Sequence, residues 1–180
     1  MNARMKRHGL FSSYFQAAHS RSVTALLFAM SFLILYGGYR KISGETLARW
    51  VYGPLIAEPA VKLMRLCFPE QHISVIGNYV IGNGSSLEIV RGCDGAGFLF
   101  LALAAIVATG GCWQHLMLGF ISAAALVYAL NEARIVALYV ALQCAPSWFN
   151  SLHTVVFPGL FVLLGILGYL AWSARPSQAP

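Results

Sequence analysis

Charged side chains are scarce in this sequence: Asp, Glu, Lys and Arg make up 10% of its 180 residues, whereas 58% are hydrophobic. A water-soluble domain usually has about a quarter charged residues. So little polar surface excludes an ordinary soluble globule and predicts an integral membrane protein. Acidic residues are the rarest, with 6 Asp and Glu against 12 Lys and Arg, and they form no aspartyl-protease dyad.

Motifs of several common functional classes are also missing. The four cysteines form no C-x-x-C pair, which excludes a zinc ribbon and argues against a membrane thiol oxidoreductase. The H-E-x-x-H motif of zinc proteases and the G-x-S-x-G motif of serine hydrolases do not occur. The basic residues form no stripe with interleaved aromatics, so nucleic acid is not an expected partner. They flank apolar runs instead, where anionic membrane lipids attract them. No metal or cofactor is predicted.

Four apolar stretches are long enough, or nearly so, to cross a bilayer, which requires about 20 residues. They cover residues 22–39, 95–111, 115–130 and 154–172. A fifth piece, residues 135–142, is too short to cross, so residues 134–152 are predicted to form a half-membrane or interfacial segment. The predicted fold is an all-α integral membrane bundle of about four full spans plus this half-membrane segment.

Residues 44–92 lie between the first two spans and mix polar and apolar side chains. Residues 44–68 are typical of an amphipathic helix on the membrane surface, interrupted by Pro54 and Pro59. β-branched runs then flank a Gly-Asn-Gly-Ser turn at residues 82–85, which predicts a small β-hairpin.

The predicted spans place both termini on one side of the membrane. With the basic N-terminus (residues 1–21) in the cytoplasm, residues 44–92 lie outside the cytoplasmic (inner) membrane. The positive-inside rule opposes this orientation weakly, because five Lys or Arg would be inside and seven outside. Residues 22–173 are predicted to form one transmembrane domain, and residues 174–180 a disordered tail.

Cys93 lies where a predicted strand meets a predicted span, in the sequence Arg-Gly-Cys-Asp-Gly. Free N–H groups at a helix N-terminus favour the reactive thiolate. Arg91 would favour it further, whereas Asp94 would oppose it. The alternative interpretation is a structural cysteine buried in a glycine-rich turn.

Arg134 is flanked by apolar sequence on both sides. A guanidinium inside the bilayer costs about 2.5–3.5 kcal/mol on insertion scales, so such residues are rare and usually functional. Asn131 lies three residues earlier, on the same helical face, and is placed to orient the guanidinium. The alternative is an interfacial arginine that extends to the headgroups and pairs with Glu132.

His153 opens the last predicted span. An imidazole there either anchors the helix to headgroups or serves as a general acid and base. A thiol, an imidazole and a guanidinium together are sufficient for acyl transfer. In the predicted topology all three lie at the same membrane boundary.

Three features of this pattern resemble the exosortase/archaeosortase family over residues 87–172: Cys93-Asp94-Gly95 at the start of a span, Asn131-x-x-Arg134-Ile after a later span, and His153 before the last. The length is similar to that of short-form exosortases. The resemblance implies a membrane cysteine transpeptidase whose catalytic domain is residues 22–173. Such an enzyme cleaves the C-terminal sorting signal of exported proteins, which is a short motif, a transmembrane helix and a basic tail. It then transfers the protein to a lipid or envelope acceptor.

The resemblance also implies that Cys93 is the nucleophile, Arg134 the transition-state stabiliser and His153 the acid and base. One position departs from the family, which commonly has Ser or Ala where this chain has Asp94. A carboxylate beside the thiol opposes thiolate formation unless Arg91 neutralises it or it caps the following helix.

Two alternatives remain open from the sequence. The Gly- and Ala-rich spans also suit a non-catalytic membrane module that binds or chaperones a transmembrane partner. Cys67 and Cys144 would share the outer side, where they form either a disulfide or two isolated packed thiols.

Overall fold

The computed structural model describes residues 3–82 and 84–175, with side chains from Arg21 onward. Helices predominate, and two of the helical stretches are π-helical. In chain order the elements are α1 (Ala3–Lys41), α2 (Gly44–Leu47), a first π-helical segment (Ala48–Ala57), α3 (Glu58–Cys67), β1 (Ser74–Ile76), β2 (Tyr79–Gly82), β3 (Ser85–Glu88), α4 (Ala96–Thr109), α5 (Trp113–Cys144), α6 (Pro146–Ser151), a second π-helical segment (Leu152–Val156) and α7 (Phe157–Ser173).

Three helical stretches among the described residues are long and apolar enough to cross a membrane: Arg21–Lys41, Trp113–Cys144 and Pro146–Ser173. Their mean hydropathies are 1.6, 1.6 and 2.1. They support the predicted helical membrane protein, with three such stretches where about four full spans were predicted. The stretch at residues 95–111 is α4, whose 14 residues are about 21 Å long. Gly95 and Gly110, each with φ of +72°, bound this helix.

The predicted break between a span that ends at residue 130 and a separate segment that begins at residue 134 is wrong. Helix α5 continues without a break through Arg134 to Cys144, and its 32 residues span about 48 Å. Polar side chains at residues 131–134 were interpreted as a helix end, yet Ala, Glu and Arg are good helix formers. The chain turns only at Ala145, and Pro146–Ser173 then runs as one helical stretch.

The predicted surface helix is helical, with α2, the first π-helical segment and α3 covering residues 44–67. Ser43 caps its start by accepting a hydrogen bond from the Thr46 N–H at 3.1 Å. Each π-helical segment contains or closely precedes a proline, Pro54 or Pro158, and proline has no N–H for the regular helical ladder. Helix α3 is amphipathic, with Met64 buried and Lys62 exposed.

The described strands form an antiparallel sheet in the order β1–β2–β3. One hairpin was predicted, and the structure adds a second through the Gly77-Asn78 turn, where Gly77 has φ of 63°. Val80, at the centre, pairs with Val75 on one side and Leu87 on the other. Asn83 of the predicted turn lies outside the described residues. Arg65 ties α3 to the sheet through two hydrogen bonds to the Ile73 carbonyl, at 2.9 and 2.6 Å.

The two ends of the chain are only partly described. The predicted basic N-terminus belongs to α1 from Ala3 onward, and residues 1–2 lie outside the described residues. Of the predicted tail, Ala174 and Arg175 are described and residues 176–180 are not.

Candidate active site

Cys93 lies in the loop between β3 and α4, which we call the Cys93 loop (residues 89–95). Its backbone N–H donates to the Val90 carbonyl at 2.8 Å, and its free thiol is partly exposed. Gly95 allows the loop to approach α5. A Cβ at this position would lie 3.1 Å from Val127 Cγ1 and 3.4 Å from Asn131 Oδ1. The glycine therefore brings the start of α4 against the polar stretch of α5.

Asp94 turns its carboxylate toward the backbone and toward α1. Its Oδ1 accepts from the N–H of Ala96, the first residue of α4, at 3.2 Å, so it satisfies a free N–H at the helix start, close to one of the two arrangements expected to offset its charge. Its Oδ2 accepts a hydrogen bond from the Tyr39 hydroxyl. Both oxygens of the carboxylate therefore have donors, and one of them comes from a helix more than fifty residues away in sequence.

Arg91 is directed toward the end of α1. Its guanidinium donates to the carbonyls of Tyr39 and Ile42 at 2.8 and 2.6 Å. It also lies over the Tyr39 ring, 4.7 Å from the centroid. Arg91 therefore fastens the Cys93 loop to α1.

Arg134 connects the Cys93 loop to His153. The arginine is 4% exposed; its Nη1 donates to the Gly92 carbonyl at 3.4 Å and its Nη2 lies 3.2 Å from His153 Nδ1. A guanidinium only donates, so Nδ1 is the acceptor and the proton of the neutral ring is on Nε2. His153 lies in the second π-helical segment and stacks on Phe149 with centroids 5.9 Å apart.

These contacts contradict the alternative of an interfacial Arg134 paired with Glu132. Glu132 is buried, and within the described part of the chain neither of its carboxylate oxygens has a hydrogen-bond partner. Asn131 is 2% exposed and packs against Gly95. Its Oδ1 makes no hydrogen bond to any described residue, the guanidinium included.

Sequence reasoning missed Tyr39 and Tyr52. Tyr39 lies at the end of the first predicted span, and its hydroxyl contacts Asp94 and lies 3.2 Å from the Tyr52 hydroxyl. Burial raises the pKa of Tyr52, so this phenol remains protonated at neutral pH. Neither residue lies near the Cys93 loop in sequence, so no local pattern could identify them.

The other cysteines lie away from these contacts. Cys67 and Cys144 are exposed free thiols, so the disulfide considered between them is not formed. Cys112 precedes α5, beyond the opposite end of α4 from Cys93. Within residues 21–82 and 84–175, whose side chains the structure describes, no three His, Cys, Asp or Glu group closely enough to bind a metal ion.

An apolar groove runs between α4, α5 and α7, starting about one turn from the Cys93 loop. Its volume is about 390 Å³. At the far end, Trp172 Nε1 donates to the His115 carbonyl at 3.0 Å. Small residues form much of the wall, among them Ala102, Ala105, Gly119, Ala123 and Gly165.

Comparison of the chain with models of known families, with curated proteins and with solved structures finds no match in any of the three.

Proposed function

We propose that this protein is a membrane cysteine transpeptidase or peptidase of the exosortase kind. It would cleave the C-terminal sorting signal of exported proteins and transfer them to a lipid or envelope acceptor. One observation carries the proposal: buried Arg134 contacts both the Gly92 carbonyl, adjacent to Cys93, and the His153 ring. Three residues far apart in sequence thus supply a thiol, a cation and an imidazole within one small region.

In the proposed first step, the Cys93 sulfur attacks the carbonyl carbon of the substrate peptide bond. Arg134 turns toward the developing oxyanion, and His153 Nδ1, released from the guanidinium, accepts the thiol proton. The resulting imidazolium donates its Nε2 proton to the departing amine as the C–N bond breaks. A thioester remains on Cys93, together with a neutral His153.

In the second step, an acceptor hydroxyl, amine or water attacks the thioester while His153 takes its proton. The thiolate leaves and is reprotonated, which regenerates the resting enzyme. Arg134 has donors for both oxyanions, since its Nε has no partner among the described side chains and backbone groups. Removing an oxyanion donor typically costs about 100- to 1000-fold in rate.

The apolar groove supports lateral binding of the substrate's own transmembrane helix. Small residues allow close approach of helix backbones, and van der Waals packing drives helix association in lipid. The groove begins near the Cys93 loop, so a helix lying along it would place the preceding motif near the thiol. In this proposal the site faces outward from the cytoplasmic membrane.

The direct test is processing of a co-expressed protein that has the motif, the transmembrane helix and the basic tail. We expect Cys93→Ala to abolish processing and Arg134→Ala to reduce it about 100- to 1000-fold, with His153→Ala also severely impaired. Cys144→Ala is the matched control, because it removes an exposed thiol away from the site. Normal processing by Cys93→Ala would contradict the proposal.

The groove also favours a second candidate, a non-catalytic module that binds a transmembrane partner. Mass analysis of the trapped protein separates the two, because only the enzyme forms a thioester-linked peptide on Cys93. A Cys93→Ala, His153→Ala double variant that still supports partner maturation would favour the binding module.

A further inference from the structure

The Cys93 loop is fastened to α1 at two separate points. Arg91 donates to the carbonyls of Tyr39, in the last turn of α1, and of Ile42, just beyond it, and covers the face of the Tyr39 ring. Asp94 accepts the Tyr39 hydroxyl proton in a hydrogen bond. The first attachment needs the Tyr39 backbone and ring, whereas the second needs only its hydroxyl.

Tyr39 is held in place from several elements. Its hydroxyl lies 3.2 Å from that of Tyr52 in the first π-helical segment, and its ring meets Phe100 of α4 edge-on, with centroids 5.5 Å apart. A ring packed in this way delivers its O–H in a defined direction. Hydrogen bonds to an ionised acceptor are about twice as strong as neutral ones, so this contact is sufficient to orient the carboxylate.

We propose that Tyr39 is a positioning residue that directs the Asp94 carboxylate away from the Cys93 thiol. This inference rests on the proposed function and explains how an acidic residue is tolerated beside the nucleophile. With Oδ1 on the Ala96 N–H and Oδ2 on Tyr39, the carboxylate has fixed donors on both oxygens. Without the hydroxyl, Oδ2 loses its donor and the negative charge is free to disfavour the thiolate.

Other charged and titratable groups around Cys93 do not replace this contact. Arg91 uses its guanidinium on α1 carbonyls, and Arg134 uses two nitrogens on the Gly92 carbonyl and His153. Tyr52 meets Tyr39 and is a neutral phenol. Tyr39 is therefore the side chain that donates a hydrogen bond to Asp94 Oδ2.

The test measures iodoacetamide alkylation of Cys93 in the full-length protein in micelles, by mass spectrometry, across the neutral and mildly alkaline pH range. Alkylation reports the thiolate. Tyr39→Phe keeps the ring and the Arg91 contacts and removes only the hydroxyl. We expect alkylation of Cys93 at neutral pH to slow by about threefold to tenfold, with its pH profile displaced to higher pH. Cys144 in the same molecules is the internal control and should not change.

A second pair of variants separates positioning from a general structural effect. Asp94→Asn removes the charge, so adding Tyr39→Phe to Asp94→Asn should leave Cys93 alkylation unchanged. The inference would be overturned if Tyr39→Phe slowed Cys93 alkylation equally in the unmodified protein and in Asp94→Asn. An unchanged pH profile of alkylation in Tyr39→Phe would overturn it as well. Alkylation does not depend on substrate processing. If the effect of Tyr39→Phe does not depend on Asp94, this inference fails but the proposed function is unaffected. Normal processing by Cys93→Ala, in contrast, would contradict the proposed function.

Discussion

The structure has two regions with opposite packing. In the first, which we call the rim core, α2, the first π-helical segment, α3, the sheet with its flanking residues and the last turns of α5 bury a continuous cluster of side chains: Leu47, Tyr52, Ile56, Ala57, Ala60, Val61, Met64, Ile73, Val80, Ile89, Ile135 and Tyr139. The second, which we call the span region, includes Arg21–Lys41 and Pro146–Ser173. Only 6% of the residues in the most apolar part of Arg21–Lys41 are buried, and 11% of those in the most apolar part of Pro146–Ser173. The rim core buries apolar side chains against one another as a water-soluble protein does, whereas the spans direct theirs outward, where lipid takes the place of a protein core.

Helix α5 belongs to both regions, and the candidate site lies on it. Its first part lines the apolar groove, and its last turns pack Ile135 and Tyr139 into the rim core. Arg134 lies between the two parts. Its guanidinium, which would be costly in lipid, is buried by the folded chain and still reaches the Cys93 loop.

The largest expected effect on stability is in the rim core. Met64 has no exposed surface, so Met64→Ala should remove buried contacts and leave a cavity. We expect a loss of about 2–5 kcal/mol, seen as a lower midpoint of thermal unfolding in detergent micelles. Leu33→Ala on α1, where the leucine is 62% exposed, is the matched control and should cost less than about 0.5 kcal/mol. Equal losses of stability in Met64→Ala and Leu33→Ala would mean that the two regions are packed alike.

A smaller loss is expected where the first π-helical segment touches the sheet. A Cβ on Gly53 would lie 2.8 Å from the Gly77 carbonyl oxygen, so Gly53→Ala must displace backbone. We expect about 1–3 kcal/mol of destabilisation, measured by the same unfolding experiment. Gly44→Ala, whose added methyl would meet nothing within 4 Å, should be neutral or slightly stabilising. An unaffected Gly53→Ala would show that this contact is loose.

The smallest effect is expected in the span region, on activity instead of stability. Gly165 lines the groove, and a Cβ there would meet nothing within 4 Å. Gly165→Ala adds one methyl group to the groove and should weaken substrate processing by up to about tenfold, mainly through KM, because one misplaced methyl group costs on the order of 1–2 kcal/mol. Gly159→Ala, on the same helix and equally open, lies outside the groove and should process normally. Equal processing by both variants would remove the groove from the substrate-binding proposal.

Local sequence signals were sufficient for several elements. The surface helix followed from its amphipathic pattern, and the strands from β-branched runs beside glycine turns. The first and last spans followed from continuous apolar sequence. The second hairpin was missed because the Gly77-Asn78 turn separates runs too short to be interpreted individually. The same window-based reasoning failed at residues 131–134, because polar residues inside a long helix resemble a helix end.

For the candidate site, too, sequence identified some features and missed others. Cys93, Arg134 and His153 could be selected from sequence as chemically unusual residues at predicted membrane boundaries. Their contacts could not be predicted from sequence, because Arg134 is 42 residues from Gly92 and 19 residues from His153 along the chain. Tyr39 carried no local signal at all, since its role depends on Asp94, 55 residues later.

Composition and periodicity alone predicted a helical chain with long apolar helices, an amphipathic helix and β-strands, because hydrophobic burial and backbone propensity act over a few residues at a time. Tertiary structure alone decided that α5 is continuous, that Asp94 faces α1, and that Arg134 binds His153 instead of Glu132. These outcomes depend on which distant groups can satisfy a buried charge or a hydrogen-bonding atom, and only the packed chain brings those groups together.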